Sequence, residues 1–229
     1  MVPLDRARHL TKHLLLLIRS GRYREFARKV RERIYGETVH VGMRLDLVTF
    51  QRELALPEGV VVRPVRSGEV PRILDLTEPG LTRQEIHERV IRQQMLQAGI
   101  RTCYVAEEDA GNQCFLQWVI GSDQNELLGR RIRGWYPQLT PEEVLIEYAY
   151  TLPERRGTGI MPAVTSHLLE RASKEGARSA VAYVPYWNTR SLEIHLRMGF
   201  SPYLLFREKR RFLARIQRQT PISRIPEDA

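Results

Sequence analysis

A chain of 229 residues, 42% hydrophobic and 28% charged, has room for one domain of ordinary size plus an extension, with enough apolar side chains for a full core. Its two cysteines show no CxxC or Cys/His spacing, which argues against a cysteine metal site, and no apolar run approaches the length that spans a bilayer. The net charge of +9 is high and unevenly placed.

Residues 1–36 hold ten Lys/Arg against three acids, a net of +7, and residues 207–218 hold six Lys/Arg with only Glu208 against them. The stretch between is close to neutral, so the basic character belongs to the two ends. Cys103 and Cys114 sit in apolar, strand-like runs and read as buried free thiols in a reducing compartment. Leu14-Leu15-Leu16-Leu17-Ile18 follows basic residues, as the core of a signal peptide does, but Arg19 closes it early and no small-residue cleavage site follows. The expected location is cytoplasmic.

In chain order, residues 5–19 read as a short helix with Leu10, Leu14, Leu17 and Ile18 on one face. Residues 22–34 read as a second, in which Phe26, Val30 and Ile34 recur among six basic side chains. This pair is either a basic surface for an anionic membrane, nucleic acid or partner, or an amphipathic hairpin packed on the main domain. Val39-His40-Val41-Gly42-Met43 and residues 45–50 look extended. Pro57-Glu58-Gly59 marks a turn and the expected domain boundary, giving a basic helical extension over 1–57 and a main domain over 58–215.

Residues 60–65 are a predicted strand. A helix capped by Ser67 is expected next, with Val70, Ile73, Leu74 and Leu76 inward and Pro79-Gly80 at its end. Thr82 and Glu85 form the capping box of another, running to about Ala98. Strands at 100–106 and 114–120 follow in hairpin fashion, then a polar segment over 121–141 that contains Arg130, Arg131, Arg133, Trp135 and Tyr136. Residues 143–151 are a strand, 159–175 a helix with Pro162 in its first turn, 178–184 a strand, 189–198 a helix and 200–207 a strand. After about residue 216 the apolar pattern is lost, and a mobile tail over 216–229 is expected. Hairpins interleaved with helices give an α/β (α+β) fold class with a mixed sheet.

Two linked patterns carry the chemistry. Arg155-Arg156-Gly157-Thr158-Gly159-Ile160 lies between a strand and a helix, where backbone N–H groups converge on an anion. Roughly thirty residues on comes Asn188-Thr189-Arg190-Ser191-Leu192-Glu193-Ile194-His195-Leu196-Arg197-Met198-Gly199-Phe200. Together with the Val62-Arg63-Pro64 strand, these patterns resemble the GCN5-related N-acetyltransferase (GNAT) superfamily over roughly residues 60–207. The family's phosphate-loop signature is met in its Arg156-Gly157-x-Gly159 core, and its later pattern at Asn188, Ser191, Gly199 and Phe200. His195 stands where the family usually has tyrosine.

The resemblance implies a GNAT-like twisted sheet flanked by helices, and acetyl-coenzyme A or another acyl-coenzyme A as co-substrate without a metal. It places the pyrophosphate on Arg155, Arg156, Gly157, Thr158, Gly159 and Ile160, with Asn188 nearby, and the pantetheine arm along Tyr148, Ala149 and Tyr150. Glu143 and Glu147 share one strand face by even spacing, and either is a candidate base acting through water. His195 is the candidate acid, since imidazole titrates near neutrality. The arginines and aromatics of 121–141, with Tyr186 and Trp187, are candidate acceptor contacts for a small or conjugated amine.

The expected function is direct acyl transfer to a primary amine. The alternatives are a catalytically silent GNAT-like module that binds coenzyme A or serves as an interaction platform, and nucleic-acid binding through the basic ends, for which no recognised motif speaks. The basic end over 1–36 also suits peripheral contact with an anionic membrane. Acceptor, acyl length and oligomeric state stay open.

Overall fold

The computed structural model describes residues 35–51, 54–108, 111–132, 138–211 and 214–226. The helices expected at 5–19 and 22–34, and Arg133, Trp135 and Tyr136, lie outside these. Among the described residues no helix is long and apolar enough to cross a membrane.

Among the described residues eight strands form one mixed sheet. In chain order they are β1 (Tyr35–Asp46), β2 (Val61–Pro64), β3 (Cys103–Glu108), β4 (Asn112–Ile120), β5 (Glu143–Thr151), β6 (Ser179–Pro185), β7 (Ser201–Arg211) and β8 (Ala214–Pro221). Among the described residues four α-helices accompany them: α1 (Arg83–Gln97), α2 (Asn125–Ile132), α3 (Ile160–Lys174) and α4 (Thr189–Arg197). The strand order is β2-β3-β4-β5-β6-β1-β7-β8, and the β5–β6 contact is parallel where the others are antiparallel.

The core has two sides. Met95 of α1, Leu128 of α2 and Leu74 pack with Leu116, Trp118, Leu145 and Tyr150 on one face of the sheet. Val164 and Leu168 of α3 and Leu192 of α4 pack with Val41, Phe115 and Ile146 on the other. Alternate residues of each strand serve alternate faces, as the two-residue period requires.

Local signals place α1 well. Thr82 accepts from the Glu85 N–H while the Glu85 carboxylate accepts from the Thr82 N–H at 2.7 Å, a complete capping box. The helix expected after Ser67 is instead a single 3-10 turn, Arg72–Leu74. Pro71 precedes it, and a proline disfavours helical backbone at the residue before it. Residues 216–221, expected in a tail, belong to β8, which pairs with β7 from Arg211↔Ala214 to Leu204↔Pro221.

Residues 35–46, expected within the N-terminal extension, are an inner strand of the sheet. His40 to Asp46 pair with β6 and Tyr35 to Arg44 with β7. Val41 and Met43 are fully buried there. Gly42 lies opposite both Tyr183 and Leu204. A Cβ on Gly42 would lie 3.0 Å from Leu204 Cβ and from Tyr203 Cε1. Its absence lets Tyr183 and Tyr203 meet across β1, with their hydroxyls 2.5 Å apart.

Candidate active site

β5 is the backbone of the site. It pairs with β6 only from Glu143↔Ser179 to Leu145↔Val181, yet β5 continues to Thr151 and β6 to Pro185. Beyond that point the two strands part. On its other side, Leu116 pairs with Tyr150 and Trp118 with Glu147, so β5 takes three steps where β4 takes two. The extra residue is a β-bulge. It is centred on Tyr148, which has φ 57, a left-handed conformation rare for a side chain of this size.

Two arginines of α1 hold this bulge. Arg92 donates from Nε to the Tyr148 carbonyl at 2.9 Å and from Nη2 to the Ala149 carbonyl at 2.7 Å. Its Nη1 donates to the Glu88 carbonyl at 2.7 Å, and its guanidinium lies 4.9 Å from the centre of the Tyr150 ring. Arg89, only 1% exposed, donates to the Tyr150 hydroxyl at 3.2 Å, the Asp75 carbonyl at 2.5 Å and the Glu78 carboxylate at 2.5 Å. The carbonyls of Tyr148 and Ala149, expected to meet a pantetheine arm, are thus engaged by Arg92.

The two glutamates have different surroundings. Buried Glu143 pairs with Arg44 at 3.0 Å and accepts from Ser179 Oγ at 3.4 Å, where β5 and β6 are still joined. Glu147 sits at the parting. Its carboxylate accepts from the Tyr183 N–H at 2.9 Å and is 3.4 Å from the Tyr148 nitrogen. Two backbone N–H groups from separate strands therefore converge on one anion. Beside them, burial pushes the Tyr183 and Tyr203 phenols up, and Arg44 lies 4.5 Å from the Tyr203 ring centre.

The turn after β5 leads into α3. Gly157 and Gly159 have φ 85 and 83, conformations that glycine adopts without steric cost. Gly159 is the N-cap and supplies no side-chain bond to the first turn of α3, so its leading N–H groups remain available to an anion. Thr158 Oγ1 closes the turn on the Arg155 carbonyl at 2.8 Å. Arg155 pairs with Glu108, and Arg156 with Glu88 at 3.5 Å. Arg190 of α4 stands over the turn: a Cβ on Gly157 would lie 3.5 Å from its Nη2. Asn188 caps α4 by accepting from the Ser191 N–H at 3.2 Å, and Trp187 beside it is 78% exposed.

His195 is buried on α4, its ring 5.2 Å from that of Phe200. Nδ1 lies 2.7 Å from the Ser191 carbonyl, which only accepts, so Nδ1 carries the hydrogen. Burial lowers the histidine pKa, so the neutral ring prevails and Nε2 is bare. That tautomer presents Nε2 as a hydrogen-bond acceptor. Among the described residues no group of three or more His, Cys, Asp or Glu side chains is placed to hold a metal ion.

The sequence model of the acetyltransferase (GNAT) family matches residues 71–200. The chain belongs to that family. No curated protein sequence matches it. Among solved structures it is similar to the GCN5-related glucosamine N-acetyltransferase region of a fungal multi-domain β-N-acetylglucosaminidase, at 13% identity and a TM-score of 0.56, over 80% of this chain and 22% of that one. It is similar to a Drosophila protein at 14% identity and a TM-score of 0.50, over 82% and 55%, and to a tandem GNAT protein of clavulanic acid biosynthesis at 15% and 0.50, over 75% and 53%. The chain thus spans about half or less of these structures' own lengths. At these identities the likeness concerns the fold.

In this GNAT chain the matched span covers α1, β5, the glycine turn and α4, but not β1, β7 or β8. Arg89, Arg92 and Arg190 went unnoticed in the sequence. One signal was present: Glu85, Arg89 and Arg92 fall at i, i+4 and i+7, the spacing of an inward helical stripe, and they are charged.

Proposed function

We propose that this chain is an acyl-coenzyme A-dependent N-acyltransferase that moves an acetyl or related acyl group to a primary amine by direct attack. The observation that carries the reading is the parting of β5 from β6 at a bulge whose strand runs into the two-glycine turn. That turn fits a pyrophosphate: φ-positive glycines, an open helix N-terminus and Arg190 above. Acetyl-coenzyme A supplies an activated thioester when bound.

The chain's own groups divide the remaining work. The N–H groups of Tyr148 and Tyr183, which now meet the Glu147 carboxylate, are the donors for a carbonyl oxygen that gains charge. Glu147, once displaced from them, is the base that takes the amine proton, directly or through one water. Glu143, four residues or roughly 13 Å along the strand, is held by Arg44 and has a structural part. Neutral His195 donates no proton from Nε2, and a thiolate leaves without one.

One observation favours a second reading, a silent coenzyme A-binding module: Glu147 already occupies both N–H donors. Thiol release from acetyl-coenzyme A, followed with a panel of amines that includes glucosamine, separates the two. Turnover is expected, with Glu147→Gln lowering kcat about 100-fold or more and leaving donor affinity close to wild type. Donor binding without turnover on any amine would support the silent module, and an unimpaired Glu147→Gln would remove the base assignment.

A further inference from the structure

We infer that the β7–β8 end of the sheet is a docking surface for an anionic lipid bilayer. The register decides which side chains share a face. Leu205 and Val41 are paired and face the α3–α4 side of the core. Two-residue steps along β7 put Arg207, Lys209 and Arg211 on that same face. Arg218 of β8 is directly opposite Arg207, and Ile216 is opposite Lys209. Glu37 of β1, opposite Lys209, lies 3.4 Å from both Arg207 and Lys209 and partly offsets them. Like charges placed directly opposite destabilise a strand pair, so this arrangement works against the sheet's own stability. Guarding an exposed edge explains scattered charge but does not call for one sign on one face.

A second tract of the same sign precedes β1 in sequence. Tyr35, which follows residues 1–34 with their ten Lys/Arg and three acids, pairs with Arg211. Outside this segment and residues 207–218, the chain has twenty Lys/Arg against twenty-three acids. The excess positive charge therefore belongs to two tracts remote in sequence, of which residues 207–211 and 214–218 lie on β7 and β8 and residues 1–34 precede Tyr35 in the chain.

The occupant follows from what accompanies the charge. Ile216, 55% exposed, stands among the cations, and every β8 residue whose burial is described is exposed. The surface is a strand face. A bilayer with anionic headgroups meets the cations and takes the isoleucine into its interface. A nucleic-acid backbone would satisfy the charges and leave that side chain in water.

The test is sedimentation of the full chain with vesicles of phosphatidylcholine alone, or with about a third phosphatidylglycerol. We expect binding to the anionic vesicles only, weakening as salt rises. A Lys209→Glu, Arg211→Glu, Arg218→Glu variant should bind about tenfold more weakly or worse while melting close to wild type. Should that variant not fold, Arg218→Glu alone, on the exposed edge strand, should still weaken binding several-fold. Equal partition onto both vesicles, no partition, wild-type binding by the variants, or tighter binding to duplex DNA than to the anionic vesicles would each overturn the proposal.

Discussion

Arg92 is the side chain on which the shape of β5 turns. Its planar fork reaches the carbonyls of two successive bulge residues while a third nitrogen reaches α1 itself. A left-handed conformation at Tyr148 costs on the order of 1–2 kcal/mol, and hydrogen bonds to a charged group contribute about 1.5–3 kcal/mol each, so Arg92 outweighs the strain. Lysine keeps the charge but lacks the fork. Arg92→Lys should therefore destabilise the protein by about 2 kcal/mol and weaken acetyl-coenzyme A binding about tenfold, with Arg92→Gln worse on both counts. Thermal melts and calorimetry check this, and wild-type values for Arg92→Lys would show that the bulge holds itself. Arg92 was hard to read from sequence because its partners are carbonyls, which every residue carries. Gly157 and Gly159 were readable because turn geometry selects residue types locally, whereas Asn188 was picked out by the GNAT-like pattern and only the structure shows it capping α4.

At the level of elements, β1 is the piece that sequence reading left unplaced. Its alternation of Val39, Val41 and Met43 shows a strand but says nothing of partners, and those partners, β6 and β7, come from the far end of the chain. β5, α3, β6 and α4 lie within a residue or so of their expected spans, since caps, Gly176 and the β-branched runs mark their ends locally. The position of β1 has a consequence for pH. His40 is largely buried beside Glu208, and burial lowers its pKa from 6.5 to about 4 despite that carboxylate. The native state therefore keeps His40 neutral, while the unfolded chain takes up a proton below about pH 6.5. Stability is intact above that value and is lost as pH falls toward about 4, by on the order of 2–3 kcal/mol from this group. Urea unfolding of wild type and His40→Asn at pH 7 and pH 4.5 should show a smaller acid loss in the variant. Equal losses would place the acid sensitivity elsewhere.

At the scale of the molecule, the sheet keeps the two proposed sites apart. The parting of β5 and β6 and the glycine turn lie mid-sheet, whereas the basic strands β7 and β8 lie beyond β1 at one edge. Composition showed that the charge sat at both chain ends, but only the register shows that Tyr35, the residue after the first basic tract, lies opposite Arg211 in the second. The fold class was legible because hairpins and crossover helices follow one another in order. The different surroundings of Glu143 and Glu147 were not, because both satisfy the same strand period and only tertiary partners separate them. The central claim is that the two-glycine turn binds the phosphates of an acyl-coenzyme A. Calorimetric titration of acetyl-coenzyme A into wild type and into a Gly157→Glu, Gly159→Glu variant tests it most directly, with circular dichroism to confirm that the variant folds. Binding by wild type that the folded variant loses is the predicted result. Equal binding by both, or none by a well-folded wild type with acetyl or longer acyl donors, would contradict it.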